Sequence, residues 1–354
     1  MAPPERGGEG QRILVLKRDK LGDMLLTTPL LALLRQRLPG AAIEVLASDY
    51  NAWVLGANPD VDRVWVYRRS RIGNHISVVG AFQQAILGAR LRFERFDVAI
   101  AAQGEPSPRA TRRARWVGAR RTVAYVDPGE PRVSDPLAPP ANGHERDRLM
   151  GLLAPLGIES PAELPLPRFL PPEPLLALAA TSLETEGLSS GGYAIIGLGT
   201  RRASKQPDTG QVLRWSEWLK REHGLDTVFM WTPGRSDNPL YPGDDDVAKP
   251  VLDAAPPWLH PFRGPLWPAL GLVWHARVSI FPDSGLMHFA AASPGGVLGL
   301  FAQADVSPPP SRWAPLGPKA RWLEARNAVS ELPDEAVFAK ASEVLAAYDG
   351  PEAR

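Results

Sequence analysis

The chain has 354 residues, too many for one ordinary hydrophobic core, so about two domains are expected at roughly 100–200 residues each. Its 44% hydrophobic and 22% charged residues are globular composition and exclude a disordered or fibrous chain. Lys plus Arg total 40 against 39 for Asp plus Glu, a net charge of +1 that argues against a dedicated nucleic-acid binder, and the lack of cysteine excludes disulfides, Cys-ligated zinc, iron–sulfur clusters and thiol nucleophiles.

Residues 1–10 lack the apolar run of a signal peptide and are expected to form a disordered lead. No apolar stretch approaches the roughly 20 residues of a spanning helix, so the expected address is cytoplasmic. Residues 13–16 read as a buried parallel strand. The charged turn 17–23 follows, then a helix over 24–38 that Pro29 should delay or kink. Strands are expected at 43–47, 64–67, 98–102 and 122–125, with helices at 79–91 and 146–156. The proline-rich and polar stretch 159–190 reads as an interdomain linker. Alternation then restarts, with strands at 193–198, 227–231, 277–281 and 297–301. Helices are expected at 212–223, 267–275 and 285–292, and a last one runs from Pro333 to about Ala347. Residues 232–257 read as irregular loop.

This rhythm predicts two parallel α/β domains, 11–158 and 191–330, with a cleft between sheet ends. Ligands in such sheets bind beyond the carboxyl ends of the strands, so polar residues there are candidates. In the turn 17–23, Gly22 permits a tight bend and Asp23 suits a general base or a simple helix cap. A helix N-terminus would lower its pKa, and burial would raise it. The loop 197–205 offers glycines, Thr200, Ser204 and Lys205, a set suited to a diphosphate or to a solvated surface. It lacks the Gly-Lys-Ser/Thr of a phosphate loop and the third glycine of a dinucleotide fingerprint. Asp283, Ser284 and Gly285 open a helix that carries His288 one turn in, again an anion site or a capped core helix. Between residues 60 and 125 there are 13 Arg, no Lys and five acids, which suits an acidic partner or a solvated face. Scattered histidines and the lack of HExxH give no metal constellation, and Asp244 to Asp246 reads as a solvated acidic loop.

Residues 12–46, RILVLKRDKLGDMLLTTPLLALLRQRLPGAAIEVL, resemble the opening of glycosyltransferase family 9, the bacterial heptosyltransferases of lipopolysaccharide core assembly. The block PDSGLMHFAAASPGGVLGLFAQAD resembles that family's Asp-Thr/Ser-Gly-x-x-His-x-Ala-Ala segment, and FDVAIAAQGEPSPRATRRARWVGARRTVAY resembles its middle part more weakly. The resemblance implies an α/β GT-B fold: two Rossmann-like parallel-sheet domains facing a central cleft, with helix 331–354 packing back on the first domain. It implies an inverting, metal-independent transferase that uses an ADP-sugar and needs no cofactor. Asp23 would be the catalytic base. Thr200, Ser204, Lys205, Asp237, Asp283, Ser284, Gly285 and His288 would bind the donor. Lys17, Arg18, Lys20, Gln103, Arg112 and Arg113 would bind an acidic lipid-linked or glycan acceptor. At most peripheral membrane contact is expected. The family's Phe-Gly-Pro-Thr is replaced by Phe301-Ala302-Gln303-Ala304-Asp305, and Pro239 disturbs the stretch around Asp237. These departures leave open a different nucleotide-sugar donor, or a non-catalytic binding relative.

Overall fold

Short apolar runs and amphipathic segments alternate to build two α/β units, Met1–Leu170 and Pro171–Arg354. The computed structural model describes residues 10–68, 71–72, 75–76, 78–129, 133–199, 202–238, 242–303 and 309–350.

The first unit contains strands β1 (Arg12–Leu16), β2 (Ala42–Ser48), β3 (Arg63–Tyr67), the small β4 (Arg71–Ile72) and β5 (His75–Ile76), then β6 (Val98–Ala101), β7 (Arg121–Tyr125) and β8 (Asp135–Leu137). Its helices are α1 (Leu21–Leu25), α2 (Thr28–Arg37), α3 (Val78–Phe93), α4 (Pro108–Val117) and α5 (Glu145–Met150). The sheet order is β3-β2-β1-β6-β7-β8 and every pair is parallel. The chain winds outward from β1 to β3, then crosses back to lay β6 on the other side of β1. Loops leaving β1 and β6 therefore diverge, which opens a crevice at their carboxyl ends. The expected helix 24–38 is divided in two. Pro29 falls in the first turn of α2, where its missing N–H breaks no helical bond.

The second unit begins with α6 (Glu173–Glu186) and continues with β9 (Tyr193–Gly197), α7 (Thr209–His223), β10 (Asp226–Met230), α8 (Asp245–Asp253) and β11 (Leu259–Phe262). Then come α9 (Leu266–His275), β12 (Val278–Pro282), α10 (Gly285–Ala291), β13 (Val297–Ala302), α11 (Pro310–Trp313), β14 (Ala320–Ala325) and α12 (Asp334–Ala346). The order β11-β10-β9-β12-β13-β14, all parallel, repeats the topology of the first unit. Its switch point lies between β9 and β12.

Three expectations are corrected. The stretch 159–190 is not one linker. Residues up to 170 pack on the first unit, where the Arg168 N–H donates to the Thr28 hydroxyl at 2.9 Å and Phe169 lies edge-on to Trp53. Pro172 and Pro174 sit at the start of α6, where proline is tolerated, so a proline-rich sequence opens a helix instead of a linker. Residues 232–257 are likewise not all loop, because α8 occupies part of them. Asp244, Asp245 and Asp246 lie at its start, where carboxylates complement the free N–H groups. Each also accepts a side-chain hydrogen bond, from Gln206, Trp231 and Ser236 respectively, so the trio is structural.

The third correction concerns α12, which is built into the second unit. Val337, Ala341, Val344 and Leu345 join the core around Trp215, and the Trp215 indole N–H donates to Asp334 at 2.7 Å. The apolar spacing of this helix matches the face of its own sheet. We expect Asp334→Ala to cost about 1–3 kcal/mol, since it strands a buried indole N–H. The check is the denaturant midpoint, and an unchanged midpoint would mean that α12 does not anchor the fold.

Candidate functional site

Each unit gathers charged groups at its own switch point. In the first, residues 17–20 leave the carboxyl end of β1. The Lys17 side chain is fully buried, with Nζ 3.6 Å from Asp19 and 3.9 Å from both Asp23 and Glu145. These separations exceed hydrogen-bond length, so the ammonium acts as a point charge among three carboxylates. Gln103, just beyond β6, donates to Asp19 at 2.6 Å. Asn51 donates to the carbonyl of Asp19 at 3.2 Å and so braces the same loop. Lys20 is exposed at the cap of α1.

Asp23 lies in the first turn of α1 with its side chain 18% exposed. Burial raises its pKa above the ordinary 3.8. Lys17 opposes that rise, while Asp19 and Glu145 add to it.

Glu145 is a member of this group that the sequence did not disclose. It starts α5, far along the chain, and looks there like an ordinary first-turn acid. The fold brings it against the loop after β6, where the Gly104 N–H donates to it at 3.1 Å. Gly104 is held in turn, because its carbonyl accepts from the Arg148 guanidinium at 2.6 Å. A side chain at Gly104 would collide with the Glu145 carboxylate, so the close approach needs glycine.

The arginine-rich span folds beside this group. Arg18 lies 3.9 Å and Arg113 4.8 Å from the centre of the Tyr67 ring. Burial, and then Arg18, lower the pKa of Arg113. Arg18, Arg109, Arg112 and Arg113 line one cavity of ≈530 Å³. Two guanidiniums on one ring repel each other, and an anion bound between them would relieve that repulsion.

In the second unit, the Lys205 ammonium is buried and donates to Asp283 at 2.5 Å. Lys205 follows β9, and Asp283 directly follows β12. Gly199 faces Ser284 closely, since a Cβ there would sit 3.3 Å from the hydroxyl. Ser204 donates to Gln303 at 3.0 Å, which ties the loop to the end of β13. Gln303 is another residue that the sequence left unassigned. It has φ of 58°, a left-handed conformation unusual for a residue other than glycine. Gly285 begins α10, and His288 is buried one turn in, near Trp313. Of the donor set, Ser204, Lys205, Asp283 and Ser284 thus converge. Asp237 does not join them. It stands exposed in a turn and pairs with Arg235 at 2.8 Å, which also holds its carboxyl below the usual range. Thr200 lies outside the described residues, as do Pro239, Ala304 and Asp305. Among the described residues, no group of three or more His, Cys, Asp or Glu is placed to hold a metal. No helix among them is long and apolar enough to cross a membrane.

No family model matches the chain, and no curated protein matches it. Solved structures do. A glycosyl transferase family 9 protein from Veillonella parvula superposes with a TM-score of 0.78 at 20% identity, covering 96% of this chain and 98% of its own. The E. coli ADP-heptose lipopolysaccharide heptosyltransferase II gives 0.71 at 20% identity, covering 95% and 99%. The E. coli heptosyltransferase WaaC, solved with ADP, gives 0.71 at 17% identity, covering 94% and 100%. The chain therefore carries the GT-B fold of two Rossmann-like domains, in common with these solved glycosyltransferases.

Proposed function

We propose that the protein is an inverting glycosyltransferase that moves a heptose from an ADP-sugar to an acidic cell-envelope glycan. The observation that carries this reading is Asp23: a carboxyl raised by burial, beside a buried ammonium, at the switch point of the first unit. A general base must take up a proton in the transition state, and burial raises the proton affinity of this carboxyl. The likeness to heptosyltransferases supports the donor class, one of those proteins having been solved with ADP.

The reaction follows from these groups. An acceptor hydroxyl gives its proton to Asp23 as its oxygen attacks the anomeric carbon. The bond from that carbon to the diphosphate breaks on the opposite face, which inverts the configuration. The departing ADP takes the electron pair, and Lys205 meets the growing negative charge without a metal. Arg18, Arg112 and Arg113 hold the acidic groups of the acceptor, and Gln103 and Lys17 fix the loop that carries the base.

The test is product formation with ADP-, GDP- and UDP-heptose and the corresponding hexoses, with and without chelator. We expect turnover with ADP-heptose that chelator leaves unchanged. Turnover only with UDP-sugars would reject the donor, and loss with chelator that Mg²⁺ restores would reject the role given to Lys205.

A further inference from the structure

Gln303 combines a strained backbone with a hydrogen bond that reaches across the second sheet. It directly follows β13, and its φ of 58° lies in the left-handed region, which is costly for a residue other than glycine. Proline, the third residue of Phe-Gly-Pro-Thr, cannot adopt that conformation, since its ring holds φ near about −65°. This corner is therefore a property of the chain's own Phe301-Ala302-Gln303. Such strain persists only where the surroundings hold it, and it gathers at ligand clamps.

Ser204 supplies the hold. Its hydroxyl donates to the Gln303 side-chain oxygen at 3.0 Å, between residues 99 positions apart. Ser204 follows β9, and the strands run in the order β9-β12-β13. The bond therefore joins the two flanks of β12, a span of about 10 Å at the ordinary strand spacing. Asp283 and Ser284 stand at the carboxyl end of β12, and Lys205 is the neighbour of Ser204. The bond also fixes the amide. With its oxygen taken by Ser204, the group offers only N–H donors to a ligand. The Ser284 hydroxyl is buried and has no hydrogen-bond partner among the described residues. Asp283 is already neutralised by Lys205. Amide donors, a spare hydroxyl and an ammonium together match a ligand that carries negative charge on several oxygens.

We propose that Gln303 is a contact residue for a diphosphate, its amide N–H donating to a phosphate oxygen while Ser204 holds the amide's other end. The left-handed backbone directs the side chain to Ser204, and that bond spends the amide oxygen, which would otherwise repel the anion. That the diphosphate belongs to an ADP-sugar rests on the glycosyltransferase reading; the contact itself rests on the geometry of this corner.

Calorimetric titration of the full chain with inorganic pyrophosphate and with ADP tests it, alongside denaturant midpoints. Gln303→Gly removes the amide and relaxes the backbone, so the midpoint should not fall. Both ligands should nevertheless bind about tenfold or more weakly, the loss of one hydrogen bond to a charged group. Gln303→Glu has nearly the same size and still accepts from Ser204, but it has no N–H to give. It should keep the wild-type midpoint and weaken both ligands at least as much. Wild-type affinity in Gln303→Glu would overturn the proposal. So would a midpoint that falls together with affinity in Gln303→Gly, since Gln303 would then only fasten the loop after β9 to β13. Wild-type protein that binds pyrophosphate but not ADP, with both variants weakened as stated, would uphold the contact and reject ADP as the leaving group. Binding of neither ligand by the wild type would overturn both.

Discussion

Asp23→Asn is expected to lower transfer by roughly 10²–10⁴ while leaving donor binding intact, the range for removing a general base. Asparagine keeps the volume and much of the hydrogen-bonding capacity of the carboxylate, so the loop after β1 should stay in place. It cannot accept the acceptor proton. The variant also removes one negative charge from the surroundings of Lys17, which remains near Asp19 and Glu145. The pH dependence provides a second reading. Asp23 is active as the anion, so kcat/KM falls as pH drops through its pKa, and burial places that limb above 3.8. Glu145→Gln removes a like charge that raises the pKa, so the limb should move to lower pH. Lys17→Met removes a cation that lowers it, so the limb should move to higher pH. An Asp23→Asn enzyme with unchanged transfer would reject the base. Limbs that fail to move in these opposite directions would reject the electrostatic account while leaving the base in place.

Much of the scaffold was legible because local signals agreed. Gly224, which closes α7 in a left-handed conformation, made the end of the helix over 212–223 readable, while the capping box of Asp208 and Gln211 starts that helix three residues earlier, at Thr209. Strands buried on both faces, such as β1 and β9, announce themselves as unbroken apolar runs. β11 and β14 escaped because their apolar runs are interrupted, by His260 and a proline, Pro261, in one and by Arg321 and Glu324 in the other. Lys205 and Asp283 were legible because each stands directly after a strand or its loop. Glu145 and Gln303 were not, because each joins its group through a contact distant in the chain, and no local pattern separates them from ordinary surface residues. Asp237 failed for the opposite reason. Its position after β10 suggested a role, but a partner two residues away, Arg235, already satisfies it.

Lys205→Met is expected to lower kcat/KM by roughly 10²–10³, the range for removing one group that stabilises a developing negative charge. The difficulty is that it also breaks a buried pair. Asp283 would be left without its ammonium at 2.5 Å, and stranding one partner of such a pair costs about 3–5 kcal/mol. Reduced transfer by the single variant could then be reduced folding. The double variant Lys205→Met with Asp283→Asn separates the two effects. It removes both charges, so the stability lost by the single variant should largely return. Transfer should stay low, because the Lys205 ammonium no longer meets the leaving diphosphate. Asp283→Asn alone should be milder than Lys205→Met, since it keeps the ammonium and an oxygen acceptor beside it. Denaturant midpoints and initial rates on the three variants resolve the question. If the double variant regains transfer along with stability, Lys205 serves only to hold β9 and β12 together, and the negative charge of the leaving group must be met elsewhere.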